Sequence, residues 1–248
     1  MSQPLLEIID LKKGFTIRNS NIGSIKTLLS WKKRSKPIYK DVLNGVSLSI
    51  SAGECVALVG KNGAGKSTLL SIISRVYKPN GGEVITHGRI APLLELGAGF
   101  HPDLTGIENV LFNGVILGLT RKQVRERMDS IIEFSELGDA VHQPVRSFSS
   151  GMLARLGFSI AVHVDAAILI VDEVLAVGDY EFEEKCYQRI SKFLAEGGAV
   201  LFVSHQKRAI ERVATRCVWL KNGEVQMDGE VEETLRQYYL KDPVEFPI

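Results

Sequence analysis

The residues best able to do chemistry stand together at positions 60–68, GKNGAGKST. Gly60, Gly63 and Gly65 let backbone N–H groups converge where side chains would obstruct them, and converging N–H groups favour an anion. Lys61, Asn62 and Ala64 complete the loop between them. Lys66 supplies a mobile cation for the β and γ phosphates of a nucleotide, the hydroxyl of Ser67 is placed for Mg²⁺, and that of Thr68 can reach the α phosphate. The run CVALV before the loop reads as a buried strand, and LLSIISRVY after it has helical spacing. That is the strand, loop and helix context a phosphate-binding loop requires.

Later in the chain, AAILIVDE at 166–173 is an apolar strand ending in two carboxylates, a costly place for charge without a cation nearby. Asp172 suits Mg²⁺ through water, and Glu173 is then placed to polarise an attacking water as general base. His205 closes another apolar run, AVLFVSH. In a parallel sheet it emerges at the same C-terminal edge as Asp172 and the loop, which assigns it a γ-phosphate contact.

Positioning these groups requires strands, and short apolar runs punctuated by glycine mark them at 5–9, 46–50, 55–59, 168–171, 200–203, 217–220 and 224–227. From Cys55 onward they alternate with helical patterns, which implies parallel βαβ units and an α/β fold. Val124, Met128, Ile131 and Ile132 share one helical face, as do Phe182, Cys186, Ile190 and Phe193. Lys221-Asn222-Gly223 is a hairpin turn signal, so a small antiparallel element is expected at the end of the sheet.

The bulk numbers limit the classes. With 248 residues, 45% of them apolar, the chain can bury a full-sized core as a single domain spanning 1–248. No apolar run reaches the roughly 20 residues of a membrane span, and MSQPLLEIID lacks the layout of a signal peptide. Cys55, Cys186 and Cys217 show no metal-ligand spacing and read as reduced core residues. The net charge of +1 hides an asymmetry: positions 11–40 hold nine Lys or Arg and no Asp or Glu, leaving the remainder acidic. Such a stretch suits a local encounter with anionic phosphate.

Between the loop and the acidic strand lies SFSSGMLARLGFSIAV, beginning at Ser147. With the motifs above, it resembles the ABC ATPase family, whose signature is usually LSGGQ. Here the signature is Phe148, Ser149, Ser150, Gly151 and Met152, so Ser149 and Gly151 match strictly. A serine and backbone N–H groups at a helix N-terminus still form an anion site. The resemblance implies a phosphate-loop NTPase fold with a mainly parallel core sheet, a small antiparallel element and a helical subdomain over about 95–160. It also implies ATP and Mg²⁺ as ligands, and a second copy whose signature faces this chain's phosphate loop, so that two chains sandwich two ATP molecules. Asp179, in AVGD, resembles the loop that bridges that dimer. Phe15 best fits the family's adenine-stacking aromatic, with Tyr39 as competitor.

ELGAGFHPDLTGIENV from Glu95, FSSGM and DEVLAVGD together look like the ATPases that export O antigen, capsule or teichoic acid, the Wzt-type group. The family's coupling-loop Gln is missing: Leu96 falls in its place with Glu95 adjacent, and Glu95 is assigned to that loop. Two membrane permease subunits are the implied partners, with the chain peripheral on the cytoplasmic face of the inner membrane. Some members extend into a C-terminal sugar-binding domain; the chain stops at Ile248 after TLRQYYL, so no such domain is expected.

Residues 19–40 interrupt the usual link between the first two strands. Ile22, Ile25, Leu28 and Leu29 fall on one helical face, followed by Trp31, Lys32, Lys33 and Arg34. An apolar face, an interfacial Trp and a cationic end describe an amphipathic helix at a membrane surface. The exporter resemblance implies that Lys32, Lys33 and Arg34 engage a lipid-linked glycan headgroup or nearby anionic lipid. The leading expectation is therefore an exporter ATPase for a lipid-linked polysaccharide, most naturally O antigen, with teichoic acid or capsule as alternatives. An importer is disfavoured by the missing Gln. A soluble ABC ATPase acting on nucleic acid is disfavoured by the near-zero charge and the lack of stacking aromatics, so no nucleic-acid partner is expected.

Overall fold

The structure is a computed structural model and describes residues 3–17, 38–93, 99–172 and 179–242. In chain order the elements begin with strands Leu6–Ile17 (β1), Ile38–Ile50 (β2) and Cys55–Val59 (β3), then helix Lys66–Ile73 (α1) and strands Gly81–Thr86 (β4) and Ile90–Leu93 (β5). Helices Gly106–Ile116 (α2), Arg121–Ser135 (α3) and Ser150–Ala161 (α4) follow. Strand Ile168–Asp172 (β6), helix Tyr180–Ala195 (α5), strand Ala199–Val203 (β7) and helix Lys207–Val213 (α6) come next. Strands Arg216–Lys221 (β8) and Glu224–Gly229 (β9) and helix Val231–Lys241 (α7) complete the described chain.

All five residues of β3 are buried, as an apolar parallel strand requires when both its faces are covered. It sits in a six-stranded sheet of order β5-β6-β7-β3-β8-β9, pairing in parallel with β7 on one side and β8 on the other. The alternation of side chains divides the strand between two cores. Cys55, Ala57 and Val59 pack with Phe158 of α4, Phe182, Cys186 and Ile190 of α5, Ile210 of α6 and Leu235 of α7. Val56 and Leu58 face the opposite way, onto Leu69, Leu70, Ile72 and Ile73 of α1.

Beyond α1 lies a second sheet of order β2-β1-β4, antiparallel throughout. It contributes Leu6, Ile8, Leu43, Val46, Leu48 and Ile50, so α1 is buried between two sheets. This second sheet is larger than the strand signals implied. The β1–β2 ladder runs out to Ile17 and Ile38 through positions whose side chains are exposed and polar, such as Lys40 and Asp41. β4 opens on two glycines, and β5 contains Pro92, which is tolerated because β5 is the edge strand. Neither has the apolar run that marks a buried strand.

A third core, Val110, Val124, Ile131, Val145, Phe148, Leu156 and Ile160, joins α2, α3, α4 and the turn before α4. α2 and α3 begin with reciprocal capping boxes: the hydroxyls of Thr105 and Thr120 accept from the N–H groups of Glu108 and Gln123, whose side chains return to the cap N–H. The hairpin between β8 and β9 turns at Asn222 (φ 51) and Gly223 (φ 78), both left-handed, which is the backbone of the two-residue turn its residues specify. All three cysteines are buried and free, and burial pushes the thiols of Cys55, Cys186 and Cys217 up to about 12. Among the described residues no helix is long and apolar enough to cross a membrane.

Candidate functional site

Parallel strands end at one edge, and that edge gathers the predicted chemistry. Along the ladder Asp172 lies level with Val203, and Val203 level with Leu58. With strands spaced about 4.8 Å apart, Asp172 therefore lies roughly 10 Å across the sheet edge from β3, whose next residues form the phosphate loop. His205 follows β7, the strand between them, and is half-buried. The structure thus brings the loop, Asp172 and His205 to one rim.

The loop itself is shaped by close backbone approaches. Gly60 has φ 154, and a Cβ there would fall 2.2 Å from the carbonyl oxygen of Leu220. Gly65, at φ 110, caps α1; a Cβ there would meet Leu43 Cδ2 at 2.8 Å and the Val42 carbonyl oxygen at 3.0 Å. No other residue satisfies both the left-handed backbone and the space. Ala64 N–H donates to the Lys61 carbonyl at 3.1 Å, closing the turn. Lys66 arches back over it, its Nζ donating to the carbonyls of Gly60 at 2.5 Å and Lys61 at 3.2 Å. No side chain caps the first turn of α1, and no acid sits in it, leaving the helix N-terminus aimed at the loop.

Beside the loop is a cavity of about 560 Å³, within the range that takes a nucleotide-sized ligand. Asn62, Gly63, Gly65, Lys66, Ser67 and Thr68 line it, as the spacing of the loop implies. Lys40, Asp41, Val42, Asn44 and Asn222 also line it, and sequence reasoning did not assign them. Tertiary pairing puts them there. Asn44 N–H donates to the Gly223 carbonyl, Gly223 N–H donates to the Ala64 carbonyl, and the Asn44 side chain donates to the Asn222 carbonyl at 2.9 Å, so β2 and the hairpin clasp the loop together. The hairpin signal at Asn222-Gly223 was the only trace of this in the sequence.

Neither Phe15 nor Tyr39 lines the cavity. Phe15 packs edge-on against Tyr77 at 5.5 Å, with Lys13 Nζ 5.0 Å from its ring centre, while its ladder partner Lys40 reaches the lining. Tyr39 lies across Gly14, where a Cβ would come within 2.4 Å of its ring.

The signature residues lie apart from this cavity. Ser149 caps α4, its Oγ accepting from Met152 N–H at 3.2 Å; Ser149 and Ser150 are exposed, and Gly151 leaves the helix start open. Phe148, buried in the helical core, anchors the turn. Asp179 caps α5: one carboxylate oxygen accepts from Phe182 N–H at 3.0 Å, and the other pairs with Arg155 of α4 at 2.7 Å. The Phe182 N–H, and then Arg155, hold its carboxyl below the usual carboxylate range. Arg155 also meets Glu136 at 3.1 Å and stacks on Phe182, so the signature helix and the Asp179 turn are tied. Glu173, Glu95, Trp31, Lys32, Lys33 and Arg34 lie outside the described residues.

For a hard cation the site offers the Ser67 hydroxyl, lining the cavity, and the Asp172 carboxylate on the same rim. Among the described residues no group of three His, Cys, Asp or Glu could hold a metal ion. Two oxygen donors, with substrate phosphates and water for the rest, fit Mg²⁺ and would not hold zinc.

The family model described as "ABC transporter" matches residues 43–176, more than half of the chain. The chain belongs to the ABC transporter family. It is accordingly an ABC-type ATPase. An O-antigen export system ATP-binding protein from Klebsiella pneumoniae is 45% identical over 240 residues, covering 95% of this chain and 98% of that protein. An O-antigen export system ATP-binding protein from Myxococcus xanthus is 44% identical, and there the match takes in 92% of this chain but only 54% of the longer relative. A teichoic acids export ATP-binding protein from Staphylococcus epidermidis is 40% identical over 94% of this chain and 87% of its own length. The ATP-binding subunit of an ABC transporter has the same fold, with TM-score 0.76 and 24% identity, over 96% of this chain and 95% of that one. A dimeric ATP-binding cassette in a post-hydrolysis state with ADP and Pi superposes with TM-score 0.71 and 24% identity, over 91% and 98%.

Proposed function

We propose that this ABC ATPase drives export of a lipid-linked polysaccharide, O antigen first, across the cytoplasmic membrane, bound peripherally beneath two permease subunits. The observation that carries the cargo is near full-length similarity to O-antigen export ATP-binding proteins, at 45% identity. The similarity to a teichoic acids export protein keeps that polymer as the second choice.

In this reading the ATP triphosphate lies along residues 60–68, and adenine stacking is assigned to Phe15, whose ring would have to leave Tyr77 to reach the base. Lys66, already poised over the loop, moves from backbone carbonyls to the β and γ phosphates. Ser67 and Asp172 would hold Mg²⁺, which when bound would neutralise charge on the phosphates. Glu173, one residue past β6, takes a proton from the attacking water, and His205 contacts the γ phosphate. Ser149, Ser150 and Gly151 serve the ATP held by a second copy. The exposure of Ser149 and Ser150, and the absence of all three from the lining of this chain's own cavity, support that assignment, since an uncovered helix start is free to meet a partner's phosphates. Asp179 bridges the two copies.

The permease contact is assigned to the segment from Glu95 through the helical core. Phe112, Val115 and Ile116 are exposed on one face of α2, an apolar patch consistent with a protein partner. Trp31, Lys32, Lys33 and Arg34 are assigned to the headgroup. In cells deleted for the coding sequence, polymer should accumulate on its lipid carrier at the cytoplasmic side. Wild type should restore surface polymer and Lys66→Met should not. Normal surface polymer in the deletion would refute the cargo.

A further inference from the structure

The phosphate loop carries a second lysine, Lys61, that points away from the cavity and into an ion pair. Its Nζ lies 3.2 Å from one carboxylate oxygen of Asp242, the residue that ends α7. The other oxygen of the same carboxylate lies 3.2 Å from Nζ of Lys221, on the hairpin side of β8. Asp242 is buried, with 8% exposure, and its own N–H is fixed on the Tyr238 carbonyl at 2.8 Å. Burial alone would raise its carboxyl pKa, yet the hydrogen bonds from Lys221 and Lys61 hold it below the usual range.

The two lysines belong to the two segments whose contact shapes the ATP site. Lys61 accepts, through its carbonyl, the hydrogen bonds that close the loop turn and seat Lys66. Lys221 is flanked by Leu220, whose carbonyl abuts Gly60, and by the turn whose Gly223 binds Ala64. Without the carboxylate two ammonium groups would share this corner, beside a third at Lys66, and like charges in a half-enclosed site repel. With it, Lys61 is drawn back, and Lys66 is the loop lysine that lines the cavity.

We propose that Asp242 is a positioning residue for ATP: by holding Lys61 and Lys221 together, it locks the phosphate loop onto the β8–β9 hairpin and makes the end of the C-terminal helix part of the nucleotide site. This rests on the placement of the triphosphate along residues 60–68 given above. Asp242 itself does not touch nucleotide. Its removal should change ATP affinity and leave the chemical step alone.

The test is a double-mutant cycle on the full chain, reading the Kd for ATP without hydrolysis and the KM and kcat of hydrolysis. Asp242→Asn should raise Kd and KM about three- to tenfold, with kcat within about twofold, and Asp242→Glu should restore most of the loss. Lys61→Met should weaken binding less, and Asp242→Asn combined with Lys61→Met should be milder than the two losses added, because the neutral lysine position no longer needs its partner. An unchanged Kd in Asp242→Asn, or strictly additive losses, would overturn the proposal. So would a Kd that returns to wild type whenever the variant is cooled well below its Tm, since that marks general destabilisation. Lys66→Met is the control for the site: undiminished ATP binding there would overturn the triphosphate placement, and Asp242's role with it.

Discussion

Lys66 reaches back to the carbonyls of its own loop, and the loop holds that shape because two glycines accept backbone contacts no other residue could. Gly63 and Gly65 separate these effects. Both have positive φ, but a Cβ at Gly63 meets nothing within 4 Å, whereas at Gly65 it strikes Leu43 and the Val42 carbonyl. Gly65→Ala should therefore destabilise by roughly 1–3 kcal/mol and abolish ATP binding, while Gly63→Ala bears only the backbone cost. Urea unfolding and nucleotide titration of the two variants check this; equal losses would contradict it. The loop residues were legible from sequence because their chemistry is local: three glycines, two lysines and two hydroxyls within nine positions. Lys40, Asp41, Asn44 and Asn222 were not, because β2 and the hairpin bring them to the cavity from far along the chain.

Helix termini carry much of the site's geometry. Thr120 starts α3 with a complete capping box, and α3 buttresses the helical core on which Phe148 anchors the signature turn. Thr120→Ala should lower stability by about 1 kcal/mol, read from thermal or urea unfolding, without altering ATP binding in the isolated chain. Asp179 predicts a pH dependence. Its carboxyl pKa is depressed in the folded chain, so the cap on α5 and the bridge to Arg155 are in place above the ordinary aspartate pKa of about 3.9. They are lost as pH falls through the lowered value. Over that acid window the Tm of wild type should fall more steeply than that of Asp179→Asn, and salt should narrow the gap because the pair is exposed. Parallel slopes would contradict the pairing. Strands with apolar runs were legible as elements; β4 and β5 were not, since glycine and proline occupy positions where an edge strand needs no packing side chain.

At the scale of the molecule, one sheet edge holds the loop, Asp172 and His205, while the signature and Asp179 stand at the starts of α4 and α5, outside the cavity lining. In the proposed reading each chain would supply two unlike half-sites, with ATP joining two copies. The α/β class and its parallel core followed from periodicity. The extent of the second sheet, which holds α1 from behind, did not, because its outer ladder is polar and exposed. The most direct measurement of the two-chain site is the mass of Glu173→Gln in solution with and without MgATP, followed alongside phosphate release. ATP should convert the variant from monomer to a long-lived dimer with almost no hydrolysis. A variant that stays monomeric with ATP bound, or one that hydrolyses ATP at the wild-type rate, would contradict the account.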